Sequence, residues 1–482
     1  MRTALWFAVL ATAIGGAVSH AETGVESIEI SRYDIRVDVH PVKSYSETYG
    51  GWIDVACTLV VRNAGDEALR QLPLCLHRLL ELKTAHTGAG EPVPFRQEIR
   101  PHPGFGPRYQ ANLATLDLPL PVGAGEESVV SLSYGGPVCG YTEALAYVWD
   151  HVSPDYTLLR TEAAWYPAVF RPYDKLVPFT YRLAVSVPAP LIAVSEGRLT
   201  GYSEQDGRAT YTYESQREHL FLFSLAAAPF VRREVSEGVS IFHLPTSTDG
   251  VATAIRALER TEMLGVAWFG ETPALALRVV EVPQRYGGQA ARGLILQQSS
   301  AFTAESDDPK AYLRALRGLG HEAIHRWHPY PADTERSRWL TEGLTHYLEA
   351  LVVREELGDK EFRACMEDYR QRLLRAGKIA MDTPVTEAGG TSVEEPVSRG
   401  KGPWVYHVLH ELVGEEVFLE VIGTYFHRYR GQRVTIPDFT QVAASVAGRD
   451  LEDLFSDWLY TTRSSGYLAE GTSVGELANL YR

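Results

Sequence analysis

The sequence predicts an α+β fold: an N-terminal domain of antiparallel sheets, packed as a sandwich or saddle, followed by a mostly helical domain. Three observations carry this. From Ser27 to about Phe230, short runs alternate apolar and polar residues at the two-residue period of half-buried strands, as in Tyr181-Arg-Leu-Ala-Val-Ser-Val187. After about Arg232 a few short strands surround a long amphipathic segment. From Asp308 onward, nearly every apolar run falls at helical spacing.

Taken in order, residues 1–21 combine a basic start (Arg2), an apolar run from Ala4 to Val18 and the small-x-small site Ser19-His20-Ala21. This is the pattern of a cleavable signal peptide, and the run is too short and too broken by Gly15-Gly16 for a membrane span. The mature chain is therefore expected to be exported, to the periplasm or the extracellular space, with no transmembrane segment. Strands are expected at Ile28 to Val39, Ile53 to Val61, Leu113 to Leu118, Ser128 to Tyr134, Phe179 to Val187, Ala209 to Tyr213 and Leu220 to Leu225. Turn clusters such as Asn63-Ala-Gly-Asp66 and Gln205-Asp-Gly207 separate them. Strands at Val239 to Leu244, Leu275 to Val282 and Gly293 to Gln297 then flank a helix from Val251 to Phe269. The expected division is a β domain over 22–231, a second domain over 232–468 and a tail over 469–482.

With 482 residues, 45% hydrophobic and 22% charged, the chain can bury more than one core. A net charge of −15 without any basic block argues against a nucleic-acid partner. The four cysteines have no metal-binding spacing. Cys57 and Cys75 lie on neighbouring expected strands, where a disulfide and buried thiols are both compatible with the pattern, as they are for Cys139. Oligomeric state is not legible.

The chemistry concentrates in Leu319-Gly-His-Glu-Ala-Ile-His-Arg-Trp-His328, which contains His321, Glu322 and His325 as HExxH. Asp307 and Asp308 are N-cap candidates, Pro309 suits the first turn, and Leu313, Leu316, Ile324 and Trp327 continue at near-helical spacing until Pro329. On a helix, residues four apart share a face, so both imidazoles can reach one zinc ion while Glu322 stands beside them as a general base. Sixteen residues separate His325 from Glu342, which opens a second apolar-periodic segment through Tyr347, Leu348, Leu351 and Val352 to Gly358. Two such helices packed side by side would give a His-His-Glu site with one coordination position left open.

These residues resemble the zinc aminopeptidases related to aminopeptidase N and the leukotriene hydrolases, gluzincins that carry HExxH, an interval and W-L-x-E-G, here Trp339-Leu340-Thr341-Glu342-Gly343. The family interval is usually eighteen residues, and the difference falls within the loop from His328 to Ser337. The resemblance implies a thermolysin-like catalytic domain ending near Trp458 to Gly466, one zinc ion, a peptide substrate and metallopeptidase activity. It also implies a two-domain version, because only sixteen residues follow Gly466. Trp165-Tyr-Pro167 with Phe170-Arg-Pro172 is similar to the aromatic-Pro stretch of the family's N-terminal domain.

Two departures stand out. Where the family carries G-x-M-E-N, whose Glu holds the substrate's free amine, this chain has Gly287-Gly288-Gln289-Ala290-Ala291 followed by Arg292. Ala290 then stands where the amine-binding carboxylate should be. Where the family carries Y-x-K-G, with a proton-donating Tyr, this chain has Arg399-Gly-Lys401-Gly402. Arg399 can still offer a fixed donor to a developing oxyanion, whereas Tyr406, His346, His407 and His410 are expected at core or surface positions. The expected function is zinc-dependent peptide hydrolysis, with the metal on His321, His325 and Glu342, with Glu322 and Arg399 catalytic, and with Gly287, Gly288, Gln289, Ala290 and Arg292 lining the substrate edge. Recognition of a free N-terminus is expected to be weakened in favour of N-blocked or acidic substrates. A non-peptidase zinc hydrolase, or a zinc-containing binding protein, fits the same exchanges.

Overall fold

The structure is a computed structural model that describes all residues except 1–24, 44–49, 172–176, 216–222, 271–275, 287, 292, 303–307, 332–336, 378–380 and 389–394. The expected leader, part of the strand from Leu220, Asp307, Gly287 and Arg292 lie outside the described residues.

The N-terminal domain is all β. Its strands are β1 (Ile28–His40), β2 (Trp52–Asn63), β3 (Leu69–His77), β4 (Glu81–Thr87), β5 (Phe95–Pro101), β6 (Gln110–Val122), β7 (Glu127–Pro137), β8 (Thr157–Leu159), β9 (Ala168–Val169), β10 (Thr180–Pro188), β11 (Ile192–Ser195), β12 (Arg198–Gln205), β13 (Arg208–Glu214) and β14 (Leu225–Ala228). Seven form a sheet in the order β12-β13-β10-β1-β2-β7-β4, four form β5-β6-β3-β9, and three form β11-β14-β8. β1 alternates along its length, with Tyr33, Ile35, Val37 and Val39 inward. These side chains meet Leu72, Leu74 and Leu116 of the four-stranded sheet in one core, so the two sheets form the expected sandwich. One expectation needs correction: β1 pairs with β10 in parallel, through Ile35↔Leu183 and Val37↔Val185, so the large sheet is mixed rather than purely antiparallel. All four cysteines are free and buried, and Cys57 and Cys75 belong to different sheets.

The second domain begins with a five-stranded sheet, β15 (Val231–Ser236), β16 (Val239–His243), β17 (Leu277–Val282), β18 (Gln289–Ala291) and β19 (Leu294–Gln298), in the order β15-β16-β17-β19-β18. Both faces of this sheet are covered. Val280, Val282, Leu294 and Leu296 pack on Leu158, Val194 and Ala226 of the three-stranded sheet, joining the two domains. Val279 and Ile295, on the other face, pack on Leu258 of α1 (Val251–Phe269) and on Leu319 and Ala323 of the helix that carries HExxH. The sheet thus presses the metal-site helix from below and places its edge strand β18 alongside it.

That helix, α2, runs over 309–327, capped by the Asp308 side chain and started by Pro309 as expected. It is followed by α3 over 339–357, α4 (Asp359–Arg375), α5 over 397–413, α6 (Glu415–Arg428), α7 (Ile436–Ala447), α8 (Glu452–Leu459), α9 (Arg463–Glu470) and α10 (Val474–Asn479). Trp339, Tyr347, Tyr406 and Trp458 are fully buried among these helices. Truncating such an aromatic costs about 3–5 kcal/mol. The stretch 469–482, expected as a tail, contains α10, whose Leu477 and Ala478 are buried in this helical core. Among the described residues, no helix is long and apolar enough to cross a membrane.

Candidate metal centre and active-site cleft

Three helices bring the site together, and each has a π-helical turn where it does so: Leu316–Gly320 directly before His321, Trp339–Gly343 around Glu342, and Val397–Lys401 around Arg399. A π turn adds a residue to the helical repeat and re-aims the side chains that follow, so such turns concentrate at functional sites. The helices also approach closely. A Cβ on Gly343 would lie 3.1 Å from the Gly402 α-carbon and 3.1 Å from the Ser398 carbonyl oxygen, so glycine lets α3 and α5 pack this tightly without the backbone giving way.

His321 Nε2 lies 3.3 Å from His325 Nε2 and 3.5 Å from Glu342 Oε2, and His325 Nε2 lies 4.0 Å from Glu342 Oε1. One ligand atom from each of the three residues therefore falls within 4.8 Å of the other two, a spacing that one metal ion can bridge. The far side of each imidazole is engaged. His321 Nδ1 is 3.0 Å from Glu349 Oε2, and His325 Nδ1 is 3.3 Å from Thr345 Oγ1. Thr345 donates its own proton to the Thr341 carbonyl at 2.7 Å, so its lone pairs accept from His325 and from His328 Nε2 at 3.1 Å. Both Nδ1 atoms thus act as donors in the neutral imidazoles, and both Nε2 lone pairs point at the shared space. Glu342 Oε2 is buried and accepts no hydrogen bond, which is the state of a ligand oxygen kept for a cation. Burial alone would raise the Glu342 carboxyl, but Arg399, His321 and His325 outweigh it and hold it well below the usual carboxylate range.

His321, His346 and Glu349 form a second group of suitable spacing. It is already closed by hydrogen bonds: Glu349 Oε2 takes His321 Nδ1 and His346 Nδ1 at 3.0 and 2.9 Å, and Oε1 takes Arg317 Nε and the Tyr369 hydroxyl, both at 3.0 Å. This group orients His321 and is no separate centre. His346, Tyr406, His407 and His410 occupy packed positions, as expected, and Tyr406 donates to the Trp339 carbonyl at 3.1 Å.

Glu322 faces the substrate side. A Cβ on Gly288 would come 2.9 Å from its Oε1, so glycine on the β18 edge leaves room for the carboxylate. Burial raises Glu322 to about 7, with Glu342 adding to the rise and His321 and Arg399 opposing it. Arg399 reaches Glu342 Oε2 at 3.3 Å and Glu395 Oε1 at 3.0 Å.

The expected substrate edge divides. Gly288 and Gln289 border the cleft, but Ala290 packs against the core under the sheet. Its strand partner Ile295 lies on that same face, so the next residue, Gln289, points to the opposite one. There Gln289 Nε2 donates to Glu162 Oε1 at 2.8 Å across the domain boundary. Glu162 is 8% exposed, and its Oε2 has no hydrogen-bond partner. Burial pushes its carboxyl up against the opposing charge of Arg160. Sequence reasoning missed this residue. The signal available was that Glu162 is the one acidic residue in the run from Tyr156 to Phe170, where Arg160 is the only other charge.

A metal trio with an adjacent carboxylate base in a two-domain cleft defines a metallohydrolase-type site, and the comparisons agree. Residues 277–458 match the Peptidase family M1 domain. Similar proteins include Aminopeptidase O of Rattus norvegicus (25% identical over 229 residues, 39% of this chain and 27% of that protein) and Aminopeptidase N of Escherichia coli (26% over 182 residues, 36% and 21%). Probable aminopeptidase 2 of Sulfurisphaera tokodaii is 20% identical over 295 residues, 58% of this chain and 38% of that protein. The matches span less than two-fifths of these relatives' lengths. The fold is also that of the M1 zinc metallopeptidase from Deinococcus radiodurans, with a TM-score of 0.66 at 19% identity over 93% of this chain and 95% of that one. A mutant of that protein, solved bound to a Tyr-ser-ala substrate, gives a TM-score of 0.66 at 20% identity over 90% and 94%.

Proposed function

We propose that this protein is a zinc-dependent peptidase of aminopeptidase type, in which His321, His325 and Glu342 hold one zinc ion. The observation that carries the reading is the convergence of those three ligand atoms within 4.8 Å, with Glu322 alongside. When bound, zinc supplies Lewis acidity, which activates water and polarises the scissile carbonyl. Glu322 takes the proton of the attacking water and passes it to the leaving amine. In the metal-free protein burial raises this carboxyl to about 7, and a carboxyl group beside the ion can both accept and return that proton. Arg399 is assigned the role of a fixed donor to the oxygen on which negative charge develops, a role supported by its contacts with Glu342 and Glu395 beside the metal trio.

Glu162 supports recognition of a free N-terminus. An ammonium is matched by a buried carboxylate with an open oxygen, and Gln289 fixes the other oxygen. The carboxylate missing at Ala290 is thus available from the N-terminal domain, which weighs against the preference for N-blocked substrates drawn from the sequence. The basic-then-apolar opening of the chain supports export to the periplasm or beyond. The test is a mixed peptide pool treated with the zinc-loaded protein, with and without chelator, and read by mass. Stepwise loss of single N-terminal residues that stops with chelator supports the proposal. Internal cleavage alone, or no cleavage, contradicts it.

A further inference from the structure

Arg338 is a cation without an adequate partner in the described structure. It begins α3, four residues before Glu342. Among the described residues its only carboxylate within 4 Å is Glu342 Oε1, at 3.9 Å, too long for a hydrogen bond. Its Nε is buried without a partner, while the side chain as a whole keeps 29% of its surface exposed. Arg399, by contrast, is engaged by Glu342 and Glu395 at 3.3 and 3.0 Å. Two guanidinium groups therefore flank one ligand carboxylate: each keeps a buried Nε without a partner, but only Arg399 has close carboxylate contacts. Tyr147 of the N-terminal domain, 40% exposed, feels the charge of Arg338 and lies 3.5 Å from Glu162 Oε1. Arg338 thus shares the neighbourhood of Tyr147, whose hydroxyl lies beside Glu162.

We propose, building on the peptidase reading above, that Arg338 is a specificity-determining residue that binds a carboxylate of the substrate. A guanidinium with unused donors offers the planar fork that a carboxylate fits, and desolvating it without such a partner is costly. The carboxylate lies close to the scissile bond, either as the side chain of an acidic first residue or as the α-carboxylate of a dipeptide. Glu162 takes the ammonium and Arg338 the acid, so the cleft recognises a substrate carrying both charges.

The test uses the zinc-loaded protein on matched pairs. One pair is the N-terminal Glu and N-terminal Gln forms of one peptide; the other is a dipeptide and its C-terminal amide. The acidic member of at least one pair should have a kcat/KM about tenfold or more above its neutral partner, carried mainly in KM, and the pair that responds identifies the source of the carboxylate. Arg338→Gln should erase that ratio by loss on the acidic member, and Arg338→Lys should restore part of it. Equal rates within both pairs, or an Arg338→Gln variant that slows both members by one factor, would overturn the proposal. If no peptide is cleaved at all, the peptidase reading fails, and calorimetry on Glu322→Gln protein still tests Arg338. There, equal affinity for the Glu and Gln peptides refutes it, and tighter binding of the Glu form that Arg338→Gln abolishes upholds it.

Discussion

On the metal side of the cleft, each metal-facing imidazole has its far nitrogen engaged, by Glu349 or by Thr345, and those partners are held in turn by Arg317, Tyr369, His346 and the Thr341 carbonyl. On the substrate side, Glu162, Gln289, Arg338 and Arg399 each keep one buried polar atom without a partner. The difference separates two tasks. A metal ligand must be aimed before the ion arrives, so its hydrogen bonds are closed within the protein. A group that recognises a transient ligand must keep capacity in reserve, and the buried orphan atoms are that capacity.

The contrast is open to attack at several points, the largest effect first. Glu322→Gln should keep the fold and the zinc yet lower kcat by several orders of magnitude, because it removes the proton acceptor and leaves the ligands intact. Near wild-type turnover would place the base elsewhere. Glu349→Ala touches no ligand atom of the trio, but it should weaken zinc binding about 10- to 100-fold by freeing the His321 ring. Competition with a chromophoric chelator reads this directly.

Glu162→Gln should raise KM for free-amine peptides by about tenfold or more with little change in zinc content. An equal effect on N-acetylated peptides would mean that the carboxylate supports the domain junction only. A graded effect is expected in pH, small over any one step. In protein stripped of metal, burial lowers His321, but the neighbouring Glu342 and Glu349 carboxylates outweigh this and raise it to about 10. Zinc must displace that proton, so affinity should rise with pH, by up to about tenfold per unit between about pH 6 and 9. A flat profile there would mean that His321 is already neutral.

The metal side was legible because its signals are local. HExxH is one helical turn, the W-L-x-E-G segment stands a short loop away, and the Asp308 cap, Pro309 start and α1 bounds Val251–Phe269 all come from nearest-neighbour chemistry. The substrate side was not legible for the opposite reason. Glu162 meets Gln289 across 127 positions of sequence, and only the alternation of β18 in its folded register decides that Gln289 faces the N-terminal domain while Ala290 faces the core. The parallel pairing of β1 with β10 escaped for the same reason, since strand direction depends on a crossover and not on the period of either strand. Arg338 is a different case: it lies one helical turn from Glu342 and could have been read from spacing alone.

The placement of the metal is the point on which everything else depends, and a crystal of the zinc-soaked protein measured at the zinc absorption edge tests it most directly. The account expects one anomalous peak about 2.0–2.2 Å from His321 Nε2, His325 Nε2 and a Glu342 oxygen. A peak among His321, His346 and Glu349, or no peak at saturating zinc, would contradict it.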